Sequence, residues 1–340
     1  MRSIGVVLLG FAIFTLLRVS NVEADDINAA ALAGTSLQLH KITDRLGRTV
    51  TYYISRPKSA APLLLMIQGS GCDPVLRTGS SGTYSTLYDL LPFAAEQPYA
   101  VIAVEKPFSG RDPGAQGGDA LGCSATFNRD FTAESWLVAL EAALSDARRL
   151  PWIDKRRAMV LGFSEGAVMA SVLASHDKQI TDVAAIGGSG TTQLFDLIAL
   201  AYRQCFDRSI CLEDIDKSVQ AIEADPENST SFVWGHPFKR WYSFFNVDSS
   251  EELLRSTARV YLAFGTADSS VPPLSEEVLV SKLLAARRDV TIRRIQNAEH
   301  GLNRPDDTDL RALDNEYRAA LKWFQTNAIA TGVATSSTPH

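Results

Sequence analysis

Short apolar runs, almost uninterrupted by polar residues, recur along the chain. They are Leu63–Ile67, Tyr99–Val104, Ala158–Gly162, Val183–Ile186 and Arg259–Phe264. A strand buried on one face alternates apolar and polar residues, whereas an unbroken apolar run is typical of a strand covered on both faces of a parallel sheet. The more alternating run Val290–Ile295 is expected at the edge of the same sheet.

Between these runs lie stretches in which apolar residues recur with a period near 3.6, which predicts helices. They are Ala133–Leu150, Ala167–Ala174, Leu274–Ala286 and Asp309–Phe324. Ahead of them, Leu37–Thr43 and Thr49–Ser55 read as a hairpin. Alternating strands and helices predict an α/β fold in which helices flank a mostly parallel sheet of about eight strands.

One segment interrupts this alternation. About seventy residues, Ser189 to Thr257, separate two predicted strands, which is far more than a crossover needs. It holds an aromatic cluster, and we interpret it as a cap inserted at about 189–257 into a single domain of residues 25–340. Lys239 and Arg240 beside the aromatics could receive a substrate carboxylate, but exposure to solvent is the expectation for both.

The first residues predict a secretory signal peptide of residues 1–24. Arg2 precedes an apolar run from Ile4 to Leu17, and Val22-Glu23-Ala24 offers small residues at a cleavage site. The run is shorter than the ~20 residues that a transmembrane helix needs. An uncleaved anchor, which Arg18 after the run would favour, is the alternative. We therefore expect an exported protein, periplasmic or secreted, without stable membrane insertion after cleavage.

Charge and cysteine content narrow the classes of partner. The net charge is −6 and no basic run occurs, so nucleic acid is not an expected partner. Four cysteines allow three disulfide pairings. A short loop favours Cys205–Cys211 and leaves Cys72–Cys123, with free buried thiols as the alternative. No histidine lies at ligand spacing from any cysteine pair, so no metal site is predicted.

The chain contains one Gly-x-Ser-x-Gly motif, centred on Ser164. The predicted strand Arg157–Leu161 precedes it and the helical stretch Ala167–Ala170 follows it. This strand–turn–helix setting is the one in which a serine hydroxyl is exposed as a nucleophile. Gly162 and Gly166 would allow the sharp turn. An ordinary glycine-containing turn between strand and helix is the alternative.

A serine hydroxyl needs an adjacent base, and the base needs an orienting acid. His300 alone among the histidines follows the final predicted strand, on a loop before the last helix. Asp268 follows a buried strand and a glycine turn, between Ser164 and His300 in the sequence. Asp306 and Asp307 both come after the histidine. The order Ser, Asp, His favours Ser164, Asp268 and His300 as a catalytic triad, although Asp268 could instead be a turn or cap residue.

Acyl transfer also needs backbone N–H groups that bind the developing oxyanion. One is expected from Glu165, which follows the nucleophile. The other is expected from the glycine-rich loop after Leu63–Ile67, with Ser70 favoured and Gly71 and Cys72 close behind.

Together these motifs resemble the α/β-hydrolase superfamily, from about Leu37 to Thr326. The ordered set is Gly-Phe-Ser-Glu-Gly, Gly-Thr-Ala-Asp and Glu-His-Gly. The resemblance implies an eight-stranded sheet and hydrolysis through an acyl-enzyme without a cofactor. The glycine-rich loop reads Gln-Gly-Ser-Gly instead of the His-Gly-Gly-Gly of many esterases, and Ser-Glu-Gly is closer to the peptidase-like and dienelactone-hydrolase-like branches.

The expected function is therefore that of a serine hydrolase acting on a small-molecule ester or amide. Carboxylic ester hydrolysis is favoured, with a peptidase or aminopeptidase-like activity or a thioesterase as alternatives. A non-enzymatic binding protein of the same fold is a further alternative, but such a protein would be expected to lack a triad member.

Overall fold

A computed structural model describes residues 32–96, 98–111, 122–204, 211–308 and 310–332. The strands in chain order are β1 Leu37–Thr43, β2 Thr49–Ser55, β3 Ala61–Ile67, β4 Leu76–Gly79, β5 Gly82–Ser85, β6 Ala100–Val104, β7 Ile153–Phe163, β8 Asp182–Ile186, β9 Phe232–Val233, β10 His236–Pro237, β11 Arg259–Gly265 and β12 Val290–Ile295. The helices are α1 Leu90–Glu96, α2 Ala125–Asp130, α3 Ala133–Ala147, α4 Glu165–His176, α5 Gln193–Gln204, α6 Leu212–Ala224, α7 Phe238–Phe245, α8 Ser249–Arg255, α9 Pro273–Ala285 and α10 Ala312–Gly332.

Eight strands form the central sheet in the order β1-β2-β6-β3-β7-β8-β11-β12. β1 pairs with β2, and β2 with β6, in antiparallel fashion, and all the other pairs are parallel. The predicted mostly parallel sheet of eight strands is confirmed, as is the position of β12 at its edge. The unbroken apolar runs became its central strands because both of their faces are covered.

Helices cover both faces of the sheet and give the molecule two apolar cores. Alternate residues of β3 point to opposite sides, so Leu63 and Leu65 join one core while Leu64 and Met66 join the other. The first core includes residues of α3, α4 and α9, and the second includes residues of α1 and α10. The sheet is thus held rigidly between two layers, and its carboxyl-terminal edge is free to carry loops.

Two features of the sheet region differ from the expectation. The β4–β5 hairpin was not predicted, because Arg77-Thr78-Gly79 carries no apolar alternation. β7 begins at Ile153, five residues before the predicted start at Ala158. The pairing of β3 with β7 shifts register between Pro62 and Leu63, so β7 has an additional first section with polar, partly exposed residues.

Where the structure describes the segment between β8 and β11, it contains four helices, α5 to α8, and the short β9–β10 hairpin. We refer to residues 189–257 as the insertion. A third apolar cluster lies within it and includes Leu197, Ile215 and Trp241. Phe244 of α7 and Leu253 of α8 are fully buried in the first core. The aromatic cluster is therefore divided between the insertion's own packing and its attachment to the sheet domain.

The Cys72–Cys123 disulfide, predicted as one of the pairs, is present and joins positions 51 residues apart. Cys205, the expected partner of Cys211, lies outside the described residues, as do the predicted signal peptide and its alternative, the membrane anchor. In the part of the chain described, no helix combines the length and apolar character needed to cross a membrane.

Candidate active site

Ser164 occupies a sharp turn between β7 and α4, with φ 56° and ψ −125°. A residue other than glycine adopts a positive φ only at a cost in conformational energy. The surrounding structure must therefore hold Ser164 in this conformation. A Cβ on Gly162 would lie 2.0 Å from the carbonyl oxygen of Gly166, and one on Gly166 would lie 2.4 Å from the carbonyl oxygen of Gln68. Close backbone contacts therefore require glycine at both positions, in addition to the sharp turn that the motif predicted.

His300 and Asp268 are brought together from separate loops. The distance between His300 Nδ1 and Asp268 Oδ2 is 2.8 Å. Asp268 is only 1% exposed, and its Oδ1 accepts the N–H groups of Ser270 and Val271, each at 2.8 Å. These amides fix the carboxylate, and the carboxylate can fix the imidazole. With Nδ1–H donating to Asp268, the other ring nitrogen, Nε2, is available to accept a proton.

The loops that carry these two residues are tied to each other. Thr266 N–H donates to the carbonyl oxygen of Ile295 at 3.0 Å, and Ala267 N–H donates to that of Ala298, also at 3.0 Å. The ends of the parallel strands β11 and β12 therefore continue to pair beyond the sheet. This pairing explains how residues 32 positions apart meet.

Ser164 and His300 line one cavity of about 310 Å³. Its apolar wall comes largely from the insertion and from the loop after Asp268, with Leu197, Leu200, Trp241 and Val271. Its polar lining includes Ser70, Ser189, Gln193 and Arg240. The predicted nucleophile and base therefore face a shared space that a small substrate could enter.

The two predicted sources of oxyanion donors also border this cavity. Glu165 is the first residue of α4, so its N–H has no acceptor within the helix. Ser70 lines the cavity, whereas Gly71 lines a narrower neighbouring cleft. Of the three loop residues considered from the sequence, Ser70 is the one that lines the cavity together with Ser164 and His300.

Arg240 was expected to be exposed to solvent, and this expectation is wrong. It is 4% exposed and forms an ion pair with Glu165, the residue after Ser164. Its Nη1 donates to Gln193 Oε1 at 2.7 Å, and its guanidinium lies 4.4 Å from the ring centroid of Trp241. Lys239 remains partly exposed and pairs with Glu227 at 2.8 Å. Arg240 is therefore paired with the residue that directly follows Ser164 at the turn between β7 and α4.

Lys106 belongs to the same buried cluster, and nothing in the sequence singled it out. Its Nζ lies 3.8 Å from a carboxylate oxygen of Glu165. Burial lowers the pKa of Lys106 to about 8. Burial by itself would raise the pKa of Glu165, but the charges of Arg240 and Lys106 together hold that pKa below its usual value. A lysine that follows a strand is normally exposed, so only the fold could reveal it.

His236 also lines the cavity. Burial, together with the positive charge of Arg240, lowers its pKa to about 3. A ring with so low a pKa is a poor proton acceptor for a serine hydroxyl at neutral pH. Of the two histidines that line the cavity, His300 is the one whose ring nitrogen faces the carboxylate of Asp268.

Asp196 lines the same cavity, and Glu276 is a second buried acid that is absent from its lining. Burial raises the pKa of Asp196 to about 7 and raises that of Glu276 well above its usual value. The nearby carboxylate of Asp268 contributes to both shifts. Among the described residues, no group of three or more histidine, cysteine or acidic side chains is arranged to hold a metal ion.

The protein is similar to known proteins in its structure. No protein-family model and no curated protein matches the sequence. Acylaminoacyl peptidase from Pyrococcus horikoshii is similar with a TM-score of 0.57 and 13% identity, over 86% of this chain but only 42% of that one. This chain thus spans less than half the length of that peptidase.

Two smaller proteins are similar over almost their whole length. A Klebsiella pneumoniae protein provisionally assigned as a dienelactone hydrolase gives a TM-score of 0.54 at 17% identity, covering 85% of this chain and 98% of that one. Est1E from Butyrivibrio proteoclasticus gives 0.52 at 14% identity, covering 86% and 99%. Identities this low establish architecture only, and with the sheet order above they show that the chain has the α/β-hydrolase fold.

Proposed function

We propose that the protein is a serine hydrolase in which Ser164 is the nucleophile, His300 the general base and Asp268 its orienting acid. The observation that carries this proposal is geometric: the strained turn at Ser164 and the Asp268–His300 pair open onto one cavity. Carboxylic esters are the favoured substrates. The insertion, which supplies much of the apolar wall, is proposed to act as the cap over this site.

In the proposed reaction, His300 Nε2 takes the proton of the Ser164 hydroxyl as its oxygen attacks the substrate carbonyl. The negative charge that develops on the carbonyl oxygen is bound by the N–H groups of Glu165 and Ser70. The imidazolium, stabilised by Asp268, then protonates the leaving group and an acyl-enzyme forms. Water, deprotonated by the same imidazole, attacks the acyl carbonyl and releases the acid and free Ser164.

Replacement of Ser164 by alanine tests this proposal. The variant should lose turnover of a short-chain aryl ester and covalent labelling by a fluorophosphonate probe, because both reactions need the hydroxyl. Ser189→Ala is the matched control, since Ser189 lines the same cavity and has no role in the proposed reaction. Equal labelling of the wild type and the S164A variant would contradict the proposal.

Cleavage of aminoacyl bonds is the second candidate, because a peptidase is among the similar structures. A panel of aryl esters of graded acyl length, assayed beside aminoacyl anilides, separates the two. Esters of short chains should be hydrolysed fastest, since the cavity of about 310 Å³ leaves little room for a long acyl group. A preference for anilides would favour the peptidase activity, and activity towards neither class would favour a binding protein.

Export through a signal peptide of residues 1–24 is part of the same proposal. The Cys72–Cys123 disulfide supports it, since disulfides persist in oxidising compartments. Protein recovered from the periplasm or medium of an expressing bacterium should begin directly after Ala24. An intact N-terminus on membrane-bound protein would favour the anchor instead.

A further inference from the structure

Lys106 is an ammonium group enclosed almost completely by protein. It is the second residue after the end of β6, and it is 2% exposed. Its Nζ donates hydrogen bonds to the carbonyl oxygens of Gly69 and, at 2.8 Å, Gly71. Both belong to the loop after β3 that is expected to provide an oxyanion donor.

The hydrogen bond to Gly69 fixes the direction of the Ser70 N–H group, because that N–H belongs to the same peptide as the Gly69 carbonyl. A trans peptide is planar, and its C=O and N–H point in opposite directions. Because the Gly69 carbonyl faces Lys106, the Ser70 N–H points away from Lys106. Within the described parts of the chain no acceptor pairs with that N–H, and Ser70 lines the cavity shared by Ser164 and His300. Gly69 itself is close to the nucleophile, since a Cβ on it would lie 3.5 Å from Ser164 Cβ.

The charge of Lys106 is balanced from the other side of the site. Its Nζ lies 3.8 Å from Glu165, whose own N–H is the other expected donor. Arg240 of α7 holds the same carboxylate, and the ring of Trp136 lies 4.4 Å from Nζ. One buried cluster therefore connects the loop after β3, the first residue of α4 and the insertion.

Burying such a cluster is a poor way to gain stability, because desolvation offsets most of the attraction between the charges. A functional role therefore explains the position of this charged cluster beside the cavity better than a stabilising role does. We propose that Lys106 is a positioning residue that aims the Ser70 N–H at the substrate carbonyl oxygen and so completes the oxyanion hole. This inference rests on the proposed serine hydrolase function and names a component of its site that the sequence did not predict.

The test uses Lys106→Met, which keeps the length and apolar bulk of the side chain and removes the donors. Turnover of an aryl ester should fall by about 100-fold, as on loss of an oxyanion donor, with little change in KM. The decisive measurement is the ratio of ester turnover to turnover of the matching thionoester, in which sulfur replaces the carbonyl oxygen. Sulfur accepts hydrogen bonds poorly, so the wild type should favour the oxygen ester strongly, and K106M should lose most of that preference.

Arg259→Met is the matched control. Arg259 is also a cation that pairs with a buried carboxylate, Asp182, and lies over a tryptophan ring, 5.0 Å from that of Trp323, but it is absent from the cavity. The control should leave the ester-to-thionoester ratio unchanged even if it lowers the melting temperature. Where K106M does not fold, Lys106→Gln, which keeps an N–H donor, should show a partial loss of the ratio.

The outcomes separate this inference from the function on which it rests. A wild type that neither hydrolyses esters nor is labelled at Ser164 by the fluorophosphonate would overturn both. A labelled, active wild type whose ester-to-thionoester ratio is unchanged in folded K106M or K106Q would overturn the role of Lys106 alone. A collapsed ratio in folded K106M, or a partial loss of the ratio in folded K106Q, with Ser164 still labelled, is the expected result.

Discussion

At the scale of single residues, Asp268 combines two tasks on its two carboxylate oxygens. Oδ1 binds the N–H groups of Ser270 and Val271, and Oδ2 faces His300 Nδ1. The first task is that of a turn former, which the sequence offered as the alternative to the catalytic role. The structure shows that the two are compatible, because a carboxylate fixed by its own turn presents its second oxygen in a constant direction.

Asp268→Asn should lower kcat for an aryl ester by about 10³- to 10⁴-fold. The amide can keep the turn through its oxygen, but its NH₂ would then face Nδ1 and favour the tautomer with the proton on Nε2. That ring could not accept the Ser164 proton. Asp248→Asn is the control, since Asp248 also accepts two successive N–H groups, those of Ser250 and Glu251, at the start of α8. Similar kcat losses in both variants would show that Asp268 acts only as a turn residue.

Lys106 and Arg240 mark the limit of what single residues reveal in a sequence. Ser164, His300 and Asp268 could be predicted as site residues because each stands in a local pattern or in a set order along the chain. Glu165 lies 75 residues from Arg240, and no local pattern records that pairing. Arg240 was expected at the surface because a charged residue among aromatics is usually solvated, and in the folded protein its charge is neutralised by a partner from another element.

At the scale of secondary structure elements, prediction succeeded for strands that are buried on both faces. β3, β8 and β11 are covered on both faces, so composition alone identified them. It failed for the β4–β5 hairpin, which is short and partly exposed. It also could not determine where the insertion packs, because the contacts of α7 and α8 with the first core depend on the arrangement of the whole sheet.

Helix α5 of the insertion carries a carboxyl group whose burial should be visible in the pH dependence of stability. The pKa of Asp196 is raised by burial to about 7, above its value in the unfolded chain. Between these two pKa values the folded state binds more protons than the unfolded state. The free energy of unfolding should therefore fall as pH rises through this window, with Asp196 contributing up to about 1.4 kcal/mol per pH unit.

Asp196→Asn should remove this contribution and so stabilise the protein at pH 8 relative to the wild type, with little gain at pH 4. Urea unfolding at a series of pH values measures the effect. Asp225→Asn is the control, because Asp225 is exposed at the end of α6. Parallel pH profiles for the wild type and D196N would show that Asp196 does not hold a proton in the folded state.

At the scale of the whole molecule, the site is assembled from distant parts of the chain, and two ties hold the loop after β3. Lys106 binds the carbonyls on either side of Ser70, and the Cys72–Cys123 disulfide anchors the same loop to the segment before α2. The disulfide closes a section of 51 residues, and both sulfurs are buried. The two ties are different in kind, since one sets the direction of a peptide and the other restricts the unfolded chain.

Replacing both Cys72 and Cys123 by alanine should therefore lower the free energy of unfolding by about 2–4 kcal/mol, because the unfolded chain gains conformational freedom. Below the melting temperature, kcat should change little, since Lys106 still orients the loop. Each single variant should lose most of what the double variant loses, because the bond needs both sulfurs. Guanidinium unfolding and ester turnover, measured on the same samples, show whether Lys106 or the disulfide orients the Ser70 N–H. A collapse of kcat in a variant that is still folded would assign the orientation of the Ser70 N–H to the disulfide instead of Lys106.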